Sequence, residues 1–205
     1  MILEDDADWD VALKSQLTDF AYAARKIENR FRPADIQLGR NDQTVTPYGS
    51  IWDILWLGIC ANPPGPPDAV TFPGVDEEFH YVYDVQGGTA CTYAYGVTQQ
   101  SARSLLQYLE DPSEPTDIAM SNFCGGPDRH CLVVWPMLIS SHKAAGAYSK
   151  DSDINHSSST DTDTTDESQP IRQKGESWKI EHSAILAALE ASNSSRTENI
   201  PSRLR

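Results

Sequence analysis

Ile51-Trp52-Asp53-Ile54-Leu55-Trp56-Leu57-Gly58 decides the fold. It is a short apolar run between turn residues, without the alternation of a half-wetted strand, so it reads as a strand of a sheet covered on both faces. Asp53 is the exception inside it, and a carboxylate buried unpaired is costly. A structural partner for Asp53 is therefore expected, with an edge position or a bound ligand as the alternative.

Working outward, Trp9, Leu13, Leu17, Phe20, Ala24, Ile27 and Phe31 recur at spacings of three and four. That period predicts one long amphipathic helix, ended before Pro33. The prolines from Asn62 to Pro67 remove ladder donors and make a loop. Residues 79–85 and 92–97 predict two further strands with a turn at Gly87-Gly88 between them. Gln100–Leu109 predicts a helix with Ala102, Leu105, Leu106 and Leu109 on one face, and Cys131–Trp135 a last strand. Alternating strand and helix signals favour an α/β sheet over a bundle or a sandwich.

From about Ser149 the composition turns to Asp, Ser, Thr, Asn, His and Glu, too polar to bury a core. The expected organisation is one domain over residues 1–148 and a mostly disordered acidic tail over 149–205. An isolated, marginal helix is expected around Trp178, Ile185, Leu186 and Leu189.

The 205 residues carry 16 Lys and Arg against 30 Asp and Glu, a net charge of −14, which argues against nucleic acid as a partner. The longest apolar run, 51–61, falls short of the roughly 20 residues that span a bilayer. Met1-Ile2-Leu3 runs at once into Glu4-Asp5-Asp6, with no leader. It reads as a short strand whose upstream partners are missing, and a fragment of a longer protein is expected.

Four cysteines, Cys60, Cys91, Cys124 and Cys131, allow three disulfide connectivities. A Cys124–Cys131 bridge would close a small loop, and Cys60 with Cys91 would join neighbouring strands. A zinc site from Cys124, His130 and Cys131 lacks the usual ligand spacing. Two acceptor triplets for N-glycosylation, Asn155-His156-Ser157 and Asn193-Ser194-Ser195, carry meaning only in a lumenal or secreted chain.

Glu4-Asp5-Asp6-Ala7-Asp8-Trp9-Asp10 places five carboxylates in seven residues behind that strand. Oxygen-rich clusters of this kind suit magnesium or manganese already bound to substrate phosphates. Asp8 and Asp10 have a plainer reading as charges at the start of the following helix. An EF-hand is excluded, since neither its Gly nor its terminal Glu is in place.

The acidic run, together with Tyr48-Gly49-Ser50-Ile51-Trp52-Asp53-Ile54-Leu55-Trp56-Leu57-Gly58, resembles fungal members of glycosyltransferase family 25, relatives of lipopolysaccharide and collagen galactosyltransferases. The resemblance continues through Cys91–Leu106, Pro115-Thr116-Asp117, Cys131–Pro136 and Ser149-Lys150-Asp151-Ser152-Asp153-Ile154, and covers roughly residues 1–154.

This likeness implies a partial GT-A-like mixed sheet flanked by helices, and transfer of a hexose, galactose in these relatives, from a UDP-sugar to an acceptor hydroxyl on a saccharide or glycoprotein. It implies that Glu4 and Asp5 contact the donor, that Asp6, Glu4 and His142 hold a divalent metal such as manganese, and that Asp117 is the catalytic base. The plainer readings are a helix cap for Asp117 and an exposed loop position for His142. It also implies a Golgi or secretory lumen. Two departures stand out: the family's N-terminal half with its Arg-rich motif has no counterpart, and Ile59 occupies a position where histidine is expected. The alternative is a non-catalytic remnant or binding module of the same family.

Overall fold

The computed structural model describes residues 1–32, 46–60, 66–73, 80–110, 113–143, 176–177, 180 and 182–198. In chain order these form β1 (Ile2–Leu3), β2 (Ala7–Trp9), α1 (Leu13–Phe31), β3 (Ile54–Gly58), β4 (Val70–Thr71), β5 (Tyr81–Val85), β6 (Ala94–Val97), α2 (Gln99–Tyr108), α3 (Thr116–Cys124), β7 (Cys131–Trp135), β8 (Ile139–Lys143), β9 (Glu176–Ser177) and α4 (Ala184–Glu198). A six-stranded sheet runs β1-β6-β3-β7-β5-β4, and a three-stranded sheet runs β2-β8-β9. The class is mixed α/β, a mixed sheet flanked by helices.

β3 lies inside the larger sheet, antiparallel to β6 and parallel to β7. All five of its residues are buried, as the unbroken apolar run predicts. Because successive side chains alternate between faces, Leu55 and Leu57 enter a core with Phe20, Ala23, Ala24 and Ile27 of α1. Ile54 and Trp56 enter a second core with Leu105 of α2 and with Met120 and Phe123 of α3. Each large apolar side chain buried there contributes roughly 1.5–3 kcal/mol.

Asp53 has the structural partners its burial demands. It accepts hydrogen bonds from Ser101 Oγ at 2.6 Å, His130 N–H at 2.9 Å and Arg129 at 3.1 Å. Ser101 stands in the first turn of α2, whose Thr98 cap accepts from the Ser101 N–H at 3.1 Å. One carboxylate thereby ties the entry of β3 to α2 and to the loop before β7.

Three expectations from the sequence change. The helix predicted from Trp9 begins at Leu13, because Ala7–Trp9 pairs with β8 in the register Ala7↔Ser141, Asp8↔Ser140 and Trp9↔Ile139. A spacing of four from Trp9 to Leu13 fits a helix, and strand pairing overrides it. The order of the sheet, which the sequence leaves open, puts β3 and β7 between the two strands that flank Gly87-Gly88. Leu106, placed on the apolar face of α2, is 63% exposed. The helix around Ile185 is not isolated: α4 packs on β2, and Asp10 bridges Ser183. Trp178 and residues 144–175, with most of the expected tail, lie outside the described residues.

Candidate functional site

The five carboxylates of the acidic run divide into two groups. Asp8 is fully buried on β2 and turned toward the C-terminal segment. Its Oδ1 accepts from Trp9 N–H at 2.8 Å and from Ile185 N–H at 3.2 Å, and its Oδ2 accepts from the Ser183 hydroxyl. Ser183 Oγ in turn accepts from Leu186 N–H at 3.0 Å. Asp8 and Ser183 together satisfy amides at the start of α4, where a carboxylate is favoured by the helix dipole. Asp8 thus caps a helix, though α4 rather than α1. Asp10 accepts from Ala12 N–H at 2.8 Å at the start of α1 and from His182 N–H at 3.2 Å.

Asp8→Ala is expected to cost about 2–4 kcal/mol, from the lost charge-assisted bonds and the amides left behind. Amide exchange within 184–190 should accelerate more than in β3. Unchanged protection there would mean that α4 is held by other contacts.

Glu4, Asp5 and Asp6 remain exposed in the turn that carries the chain from β1 to β2. β1 pairs with β6 through Leu3↔Ala94, and Glu4 N–H donates to Tyr93 O at 3.1 Å. This pairing brings the Glu4 carboxylate onto Thr92, whose hydroxyl donates to it at 2.6 Å. The residue before Thr92, Cys91, is bonded to Cys60 and holds φ at +64°. Its N–H donates to Asp117 Oδ2 at 3.0 Å. Asp117 lies in the first turn of α3, not at its cap position, and its other oxygen accepts from Ile118 N–H at 2.9 Å. On the other side, the Asp6 carbonyl accepts from His142 N–H at 2.7 Å. The His142 ring points toward Asp8, with Nδ1 3.9 Å from Asp8 Oδ2.

Glu4, Asp117 and the Asp6–His142 pair are therefore joined through one loop and one strand pair. Among the described residues, no three His, Cys, Asp or Glu side chains form a ready metal-binding group. A divalent ion that bridges a diphosphate needs only one or two protein carboxylates, the phosphates supplying the rest. The exposed Glu4–Asp6 turn fits that smaller role, while His142 faces Asp8.

Sequence reasoning missed Thr92 and Tyr95. Tyr95 pairs with Ile2 on β1. Burial first, and then the Glu4 charge, push its phenol above the ordinary tyrosine range, so it stays a neutral hydroxyl beside the turn. Both sit in a stretch read as a strand and as part of the resemblance, and their contacts with the Glu4 turn appear once β1 is seen to pair with β6. No protein-family model, curated protein or solved structure matches this chain significantly.

Proposed function

We propose that this chain is a glycosyltransferase-like domain with a GT-A-type sheet, which binds the diphosphate of a nucleotide-sugar at the Glu4-Asp5-Asp6 turn. The supporting observation is that the carboxylates divide: Asp8 and Asp10 are consumed by the fold, while Glu4, Asp5 and Asp6 face solvent beside the loop that Asp117 holds.

In this reading Glu4, oriented by Thr92, and Asp6 would hold a manganese ion at the exposed turn. The chemistry supplied there would be neutralisation of charge on the departing diphosphate. Asp117 takes the acceptor hydroxyl proton on a lone pair not used by Cys91 or Ile118. The resemblance to family 25 supplies hexose transfer, with galactose as the sugar and a saccharide or glycoprotein as acceptor.

Titration of UDP-galactose with manganese into the folded chain tests the reading. Saturable binding that falls at least tenfold in Asp6→Ala is expected, with circular dichroism showing that the variant stays folded. A folded chain that binds no UDP-galactose overturns a working donor site and leaves the non-catalytic module.

A further inference from the structure

A groove of about 670 Å³ lies along α1, walled on its other side by the segments that carry Trp9 and Tyr48. Lys14, Thr18, Ala21 and Arg25 line it at spacings of three and four, one stripe of the helix. By the helical rise, the two cations stand about 16 Å apart along the axis. Neither makes an ion pair among the described residues. Two uncommitted cations on one face are notable in a chain of net charge −14. Trp9 is 37% exposed, and Tyr48 is half-buried with its ring tilted 46° against Phe20.

The lining also holds the Asp10 carboxylate, whose oxygens accept from Ala12 N–H and His182 N–H, so Lys14 and Arg25 are the groups left to select among anionic ligands. Phosphate is best held by converging backbone amides or by adjacent cations. Here the amides at the start of α1 are already engaged: Val11 N–H with His182 O at 3.0 Å, Ala12 N–H with Asp10 Oδ1, and Leu13 N–H with Asp10 O at 2.9 Å. Lys14 and Arg25 are too far apart to clamp one phosphate. Amphipathic aromatic rings suit a ligand that is apolar on one face and polar at its edges. Cations spaced along a groove suit a chain that repeats its charge.

We propose that this groove binds an acidic oligosaccharide, with Trp9 and Tyr48 against pyranose rings and Lys14 and Arg25 paired to carboxylates on separate residues. The inference rests on the transferase reading only in making that saccharide the acceptor. Trp9 follows the donor turn by three residues, which puts the groove next to it.

The experiment titrates the full chain with trigalacturonate, with its neutral counterpart galactotriose in parallel, following backbone amide signals by NMR. Saturable shifts centred on residues 9–25 and 47–48 are expected, with galactotriose at least tenfold weaker. Trp9→Ala and the double variant Lys14→Ala/Arg25→Ala should each weaken trigalacturonate at least tenfold while amide dispersion stays native. Absence of saturable shifts, equal binding of the neutral sugar, or affinity unmoved in both variants overturns the proposal. Competition between UDP-galactose and trigalacturonate at the groove also overturns it, because the groove would then be the donor site. If trigalacturonate binds as expected and UDP-galactose does not bind at all, the donor reading fails and the groove stands.

Discussion

Gly49→Ala is expected to destabilise the chain by about 4 kcal/mol or more, a large part of the 5–15 kcal/mol that holds an ordinary domain folded. A Cβ built on Gly49 would lie 1.5 Å from Glu28 Oε2 and 2.7 Å from its Cδ. Gly49 also holds φ at +94°, which costs a residue with a side chain roughly 1–2 kcal/mol. The side chain in the way cannot swing aside cheaply. Glu28 is 2% exposed, and it accepts from Ser50 N–H at 2.7 Å, Ser50 Oγ at 3.2 Å and Arg32 Nε at 3.0 Å. Moving it leaves a buried charge without its partners, a change worth about 3–5 kcal/mol. Urea unfolding monitored by tryptophan fluorescence measures the loss. Ser50→Ala is the milder control, expected to cost no more than about 1.5 kcal/mol. A Gly49→Ala chain within 1 kcal/mol of the parent would show that the Glu28 contact does not anchor this turn.

That contact shows where sequence reading stops. The apolar run of β3 was legible because burial on both faces leaves its mark on every residue of a short strand. Asp53 was legible for the opposite reason: one carboxylate in such a run demands partners, and Ser101, Arg129 and His130 provide them. Two of the pairings considered for the cysteines, Cys60–Cys91 and Cys124–Cys131, are the ones formed. Glu28, by contrast, looks like one more polar residue on a helix, and its partner Ser50 lies 22 residues on. Ser183, which holds Asp8 from 175 residues away, sits in a stretch whose composition reads as a tail. Local periodicity carries no information about such pairs.

The candidate site shows the same division. Carboxylate density alone could not say which of the five acidic residues serve the fold. The answer depends on which side of the β1–β2 turn each one falls, since Asp8 lies within a paired strand and Glu4, Asp5 and Asp6 lie before it. Asp117 was singled out as a base or a cap, and its bond to Cys91 N–H gives it a further duty, holding the loop that presents Thr92 to Glu4.

Removal of the Cys60–Cys91 bridge is expected to cost stability and to disturb the proposed donor site. The bridge spans 31 residues. In the chain-entropy account, opening a loop of that length releases about 3.5 kcal/mol into the unfolded state. The Cys124–Cys131 bridge closes only 7 residues and should contribute about 1.3 kcal/mol less on the same logarithmic scale. The longer bridge also joins the chain just beyond β3 to the loop that enters β6, where Cys60 N–H donates to Ala90 O at 3.0 Å and Trp56 Nε1 donates to Cys91 O at 3.1 Å. Without it, only the Asp117 and Trp56 hydrogen bonds hold Cys91 at its positive φ, and Thr92 drifts from Glu4. Cys60→Ala/Cys91→Ala should therefore lower the unfolding free energy by about 3–4 kcal/mol, raise the urea m-value because the unfolded chain expands, and weaken UDP-galactose binding where the parent binds it. Cys124→Ala/Cys131→Ala should leave that binding intact in the chain that stays folded, because both sulfurs are buried in the core between α3 and β7 while Glu4, Asp5 and Asp6 are exposed. If the shorter bridge proves the larger contributor to stability, packing of its buried sulfurs outweighs loop entropy, and the ranking argued here is wrong.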